Sequence, residues 1–211
     1  MAFDAIETPF GKIDKIVGGS ATYVAYAASH LTHPIRQISI IGNDFPGEEL
    51  EELKNRGVDM TGVEIVKDQP SFFWSGKYHL DMNTRDTLIT DLNVLANFDP
   101  KVPESYQGAE FLMLGNLMPA LQLSVIEQLR TRPKLIILDT MNFWMETAME
   151  DLKKVLLKVD VLLINDSEAR QLSGEYALVK CAKSILQMGP KFLIIKKGEH
   201  GAFLFTANRI F

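Results

Sequence analysis

Cysteine is nearly absent. Cys181 is the only one in 211 residues, so neither an intramolecular disulfide nor a cysteine-built metal cluster can form, which fits a reducing, cytoplasmic setting. Long apolar runs are missing too: none approaches the roughly 18 residues that span a bilayer. The opening Met1-Ala2-Phe3-Asp4-Ala5 has neither the basic nor the apolar region of a secretory signal, so no membrane partner is expected. Positive charge is in deficit, 22 Lys and Arg against 27 Asp and Glu, and a net charge of -5 gives no general attraction to nucleic acid. No G-x-x-x-x-G-K-[ST] and no G-x-G-x-x-G occurs, which disfavours a P-loop or dinucleotide-binding enzyme. His30, His33 and His79 lack metal-ligand spacing.

What is present is an apolar content of 46%, enough for a substantial core, and a rhythm of buried strands. Val161-Leu162-Leu163-Ile164 and Phe192-Leu193-Ile194-Ile195 are continuous apolar runs separated by an amphipathic helix, the pattern of neighbouring parallel strands covered on both faces. Strands are expected to begin near 111, 135, 161 and 192 with a helix in each gap, hence an α/β fold with a mostly parallel sheet. Ligands of such sheets collect at the strands' carboxyl ends. Ahead of this, residues 4 to 17 read as a turn-rich hairpin, Gly18-Gly19-Ser20 opens a helix with Val24, Ala27, Ala28 and Leu31 on its apolar face, and 37 to 41 is a strand. Phe72, Trp74, Tyr78 and Leu80 alternate with polar neighbours on a two-sided strand, partnered by 86 to 94, in a small sheet outside the main core. That aromatic face is expected to pack against a second copy of the chain.

Each candidate site has a plain structural alternative. Asn165-Asp166-Ser167-Glu168 begins a helix, where Asp166 or Ser167 can be the N-cap and Glu168 can favour the helix dipole; the Asn165 amide and Glu168 carboxylate can also serve as oxygen ligands for a phosphate-borne Mg²⁺. Lys196-Lys197-Gly198-Glu199-His200-Gly201 can be a glycine-dependent hairpin, or backbone that approaches a base or phosphate closely beside a lysine charge; His200 itself reads as a solvated turn residue. Gly18-Gly19 can be turn chemistry or N–H donors for hydroxyls and anions. Asp4 is uninformative alone, and Cys181 lies in the apolar stripe Leu178, Cys181, Ala182, Ile185 as core filler.

Taken in order, Asp4, the Gly18-Gly19 helix start, the aromatic strand, Asn165-Asp166-Ser167-Glu168 and Lys197-Gly198-Glu199-His200-Gly201 resemble the ribokinase-like (PfkB) carbohydrate kinase family across nearly the whole chain. The resemblance implies a three-layer α/β/α fold with a small β lid, here about 4 to 17 and 68 to 95 of a single, incomplete domain, and transfer of the γ-phosphate of ATP to a hydroxymethyl group of a sugar or nucleoside. It assigns Asp4, Gly18, Gly19 and Asn116 to the substrate. It assigns Asn165, Lys196, Lys197, Gly198, Glu199, His200 and Gly201 to the nucleotide and Glu168 to Mg²⁺ through water; the possible homodimer through the lid rests on the aromatic face instead. Tyr23 stands where many sugar kinases of the family have Asn, and Asp139-Thr140-Met141-Asn142-Phe143 lacks the family's nearby Arg, so the acceptor stays open between sugar and nucleoside.

The family's Gly-Ala-Gly-Asp segment, with its anion hole and catalytic base, does not occur among these residues, and a first strand is expected ahead of Asp4. A missing base alone costs about 10² to 10⁴ in rate. The 211-residue chain is therefore expected to be inactive or a very weak kinase, and a non-catalytic ligand-binding or lid-mediated assembly module is the alternative.

Overall fold

Thr8 turns the chain back on itself at the start. Its hydroxyl accepts from the N–H groups of Phe10 and Gly11, at 3.1 Å each, and donates to the Gly11 carbonyl. This joins β1 (Ala2–Thr8) to β2 (Gly11–Gly18) as an antiparallel hairpin. The computed structural model describes all 211 residues, and they divide into two compact units, Met1–Glu104 and Ser105–Phe211.

In unit 1 the hairpin is followed by α1 (Ser20–Ser29), β3 (Ile35–Gly42), α2 (Gly47–Asn55), β4 (Val58–Val66), β5 (Phe73–Tyr78) and β6 (Arg85–Asp91). Four strands form one sheet in the order β2-β1-β5-β6, while β3 and β4 make a separate parallel pair. Phe3 and Phe73 are cross-strand partners, and both pack with Ile41 and Phe45. The four-stranded sheet is thus separate from the main parallel strands, as the sequence-based reading has it, and it contributes to a core of unit 1.

The buried face of α1 also differs from expectation. Thr22 and Ala25 are buried and the Thr22 hydroxyl donates to the Gly18 carbonyl at 2.8 Å, whereas Val24 is exposed and Leu31 lies beyond the helix end, 87% exposed. Thr22, Ala25, Tyr26 and Ser29 have the same i, i+3, i+4, i+7 spacing, with small side chains at the two buried positions, Thr22 and Ala25. Small residues let the helix sit close to its neighbours. The strand β4 has no counterpart in the sequence-based expectation, because Asp59, Gly62 and Glu64 interrupt its apolar positions. The helix α2 has Glu48 and Glu49 in its first turn and Gly57, at φ 78°, beyond its end.

Unit 2 runs β7 (Phe111–Leu114), α3 (Pro119–Glu127), β8 (Leu135–Asp139), α4 (Asn142–Thr147), α5 (Met149–Leu156), β9 (Val161–Asn165), α6 (Asp166–Ser173), α7 (Leu178–Leu186), β10 (Phe192–Lys196) and β11 (Ala202–Phe205). Its sheet has the order β11-β10-β9-β8-β7, with β7 to β10 parallel and β11 an antiparallel edge. All four expected strand starts are met. Ile136, Leu138, Leu162, Ile164, Leu193 and Ile195 are fully buried, and the helix stripes Leu152 with Leu156 and Cys181, Ala182 with Ile185 are buried as well. On α3 the buried positions are Pro119, Gln122 and Val125. No helix is long and apolar enough to cross a membrane.

Candidate functional site

Strand register brings two of the expected nucleotide-site segments together. In the parallel β9–β10 pair Lys196 stands opposite Asn165, so both emerge at the carboxyl end of unit 2's sheet. Asn165, not Asp166 or Ser167, is the N-cap of α6: its Oδ1 accepts from the Glu168 N–H at 2.8 Å, and the Asn165 N–H donates to Glu168 Oε2 at 2.7 Å. This reciprocal capping box satisfies two otherwise orphaned N–H groups and sets where the helix starts. Asp166, displaced from the cap, pairs with Arg170 at 2.6 Å. Glu168 is buried, at 5% exposure, even though it is a carboxylate.

The turn after Lys196 has the expected glycine chemistry, with Gly198 at φ 56° and Gly201 at φ 79°. The Lys197 N–H donates to the Gly201 carbonyl at 2.8 Å, and Lys197 Nζ lies 5.1 Å from the Phe203 ring centroid. Glu199 and His200 are exposed at the turn's tip, 3.8 Å from each other. Asp139, at the carboxyl end of β8, was not picked out from sequence: its Oδ1 lies 3.6 Å from Lys196 Nζ. Burial pushes the Asp139 carboxyl above its ordinary value, and Lys196 pulls it partly back. Asn116 follows β7, where its Oδ1 accepts from Trp144 Nε1 at 2.8 Å and its Nδ2 approaches Met141 Sδ at 2.9 Å, so it braces the segment after β8.

These residues fit Mg²⁺ in one particular way. No group of three or more His, Cys, Asp or Glu side chains gathers as a metal cage. An amide and one buried carboxylate that already cap a helix suit an ion carried by phosphate oxygens and held through water.

In unit 1, Asp4 rises from the middle of β1 against the helix start. A β-carbon on Gly18 would overlap the Asp4 carboxylate, lying 2.6 Å from its Cγ, so only glycine leaves room for that side chain. Gly19, the N-cap of α1 at φ 87°, donates its N–H to Asp4. Burial raises the Asp4 carboxyl above its ordinary value and the Gly19 bond opposes the rise. Next to Asp4 on the sheet stands Trp74, its cross-strand partner. Trp74 is half-buried and its indole folds along its own strand over Gly76, which departs from the outward aromatic face that sequence alternation suggests. Burial, and then the charges of Asp4 and Tyr78, raise the Tyr23 phenol above its ordinary value.

Residues 7–211 match the pfkB family carbohydrate kinase, almost the entire chain. The chain belongs to the pfkB family of carbohydrate kinases. This pfkB-family chain is similar to a curated cytidine kinase of Thermococcus kodakarensis, 24% identical over 216 positions that cover 99% of the chain and 74% of that protein. Among solved structures, it is similar to a Burkholderia thailandensis nucleoside kinase in complex with inosine, with a TM-score of 0.74 and 19% identity over 100% of this chain and 72% of that one. A Thermotoga maritima ribokinase gives a TM-score of 0.71 at 19% identity, covering 100% and 73% of the two chains. The fold of the pfkB-family chain is therefore the ribokinase-like α/β fold.

Proposed function

We propose that this chain supplies the Mg-ATP site, at the carboxyl ends of β9 and β10, and the sugar or nucleoside site, at Asp4, of a kinase that transfers the γ-phosphoryl group to the acceptor's hydroxymethyl oxygen. The observation that carries it is the register that sets Lys196 beside Asn165, with the Gly198–Gly201 turn continuing from the same edge. When bound, Mg-ATP supplies the phosphoryl group and a metal that neutralises its charge. Lys196 adds a positive charge beside the triphosphate, Asn165 and Glu168 hold the metal's waters, and the backbone of residues 197 to 201 lies against the nucleotide. Asp4, seated on Gly18 and oriented by the Gly19 N–H, accepts hydrogen bonds from acceptor hydroxyls. The similarity to a cytidine kinase and to a nucleoside kinase supports counting nucleosides among the acceptors.

Transfer is assayed on the product of the full reading frame, with Mg-ATP and a panel of free pentoses, hexoses and nucleosides. Phosphorylation of at least one is expected, together with a loss of about tenfold or more in Mg-ATP affinity on Lys196→Ala, since removing a charged hydrogen-bonding partner costs about 1.5 to 3 kcal/mol. No transfer to any acceptor refutes the proposal. A second function, self-association through the lid sheet, is favoured by β6, all seven of whose residues are exposed, Leu88 and Ile89 among them. Sedimentation of wild type and Ile89→Lys at matched concentrations tests it, and equal masses remove it.

A further inference from the structure

Gly76 poses a question that its backbone does not answer. It lies outside the left-handed region, so any residue could take its conformation, yet a β-carbon there would overlap Cη2 and Cζ2 of Trp74 and lie 2.9 Å from Cζ3. The indole occupies the space a side chain would need. Gly76 is buried beneath it, and Trp74 Nε1 donates at 3.3 Å to the hydroxyl of Thr87, the cross-strand partner of Gly76. A missing side chain and a hydrogen bond thus hold one large ring down along the sheet, in a single orientation.

Trp74 is also the register partner of Asp4 in the parallel β1–β5 pair, so both side chains rise from the same face of the same sheet. A carboxylate that accepts from ribose hydroxyls, next to an indole held along the sheet, is the chemistry that recognises a sugar bearing a planar heteroaromatic group. A free sugar would use the carboxylate and leave most of the indole's stacking surface unused. We propose that Trp74 is the nucleobase-stacking residue of this chain, and that it makes the acceptor a nucleoside in preference to a free sugar. The inference rests on the acceptor role of Asp4 given above. It also reassigns the aromatic strand from an association surface to a ligand surface.

Calorimetric titration of the full-length protein with adenosine, cytidine and ribose tests this, alone and with Mg-ATP. Base–aromatic stacking predicts that wild type binds a nucleoside at least about tenfold tighter than ribose. Trp74→Leu brings the nucleoside to within about twofold of ribose, and Trp74→Phe keeps most of the preference. Gly76→Ala, which lifts the ring from its seat, shifts selectivity the same way as Trp74→Leu; far-UV circular dichroism checks that each variant is folded. The inference is overturned if wild type shows no preference for nucleosides or binds neither ligand class. It is equally overturned if Trp74→Leu weakens ribose and nucleosides alike, changes neither, or changes only the sedimenting mass. Mg-ATP affinity separates the two claims: its absence with nucleoside selectivity intact removes the kinase function and leaves the stacking, whereas its presence without selectivity removes only the stacking.

Discussion

A fully buried aspartate and a partly exposed one mark opposite ends of unit 2's sheet, and their surroundings differ. At the amino end Asp160 is met from three sides: Arg132 Nη2 at 2.7 Å and the Ile136 N–H at 3.0 Å donate to Oδ2, and Lys191 Nζ at 2.9 Å donates to Oδ1. Its own backbone pairs with Ile136, Lys191 and Phe192, which ties β8, β9 and β10 together at their starts. Burial alone would push the Asp160 carboxyl up, but these donors outweigh it and hold it below the ordinary range. At the carboxyl end Asp139 has Lys196 at 3.6 Å, and burial wins. Nearby, Thr140 Oγ1 and Gln122 Oε1 are buried with no protein partner. One end of the sheet is saturated with hydrogen bonds and the other is left with unused polar capacity, the expected division between a structural end and a ligand-binding end.

The largest effect is expected at the saturated end. Asp160→Ala leaves the Ile136 N–H without its acceptor and two cations without a counter-charge; because Arg132 and Lys191 are half-exposed or more, the loss is about 2 to 3 kcal/mol by urea unfolding. Since the folded carboxyl is depressed, its contribution is complete above the unfolded value of about 4 and fades as pH falls through the folded one. Wild type and Asp160→Asn should therefore converge in acid. If they stay parallel from pH 7 down to 3, Asp160 is not the hub its bonds suggest.

A middle-sized effect separates cap from ligand at the other end. Asn165→Ala removes the capping box and costs about 1 kcal/mol of stability. Asn165→Asp retains an N-cap acceptor and should keep that stability while changing Mg-ATP affinity, because the amide is gone. Equal changes in both properties for both variants would make Asn165 a cap alone.

The smallest effect is the most diagnostic in sign. The Asp139 carboxyl is raised in the folded state, so below about pH 4 it contributes fully and wild type loses that contribution as pH rises through the folded value. Asp139→Asn should then be neutral or more stable than wild type by under about 1 kcal/mol at pH 7, with no advantage in acid. A clear loss of stability at pH 7, read from melting temperature across pH 4 to 8, would make the two ends of the sheet alike.

How far these features were legible in the sequence follows from how local their causes are. Strands β8, β9 and β10 announce themselves because burial on both faces demands consecutive apolar residues, and Gly198 and Gly201 announce positive φ at a turn. The Asn165–Lys196 adjacency follows once two parallel strands are placed side by side. The buried face of α1 was hidden because Thr22 and Ala25 carry weak hydrophobic signals, and close approach selects smallness, not apolarity. The Asp139–Lys196 pair spans strands on either side of β9, so no spacing rule reveals it. The fold of Trp74 over Gly76 depends on a rotamer, and alternation says which face a side chain leaves from but not where it leans.

Ser71 carries a mechanical consequence. It lies at the entrance to β5; its hydroxyl accepts from the Gly42 N–H at 2.9 Å, its N–H donates to Asp44 at 2.8 Å, and its carbonyl accepts from Asn93 at 2.9 Å. A β-carbon on Gly42 would lie 2.5 Å from the Ser71 nitrogen, so the two backbones touch directly. Fixed two residues ahead of its start, β5 is pinned against sliding along its neighbour, and the Asp81 to Thr84 tip lies at the other end of the β5–β6 hairpin from that pin.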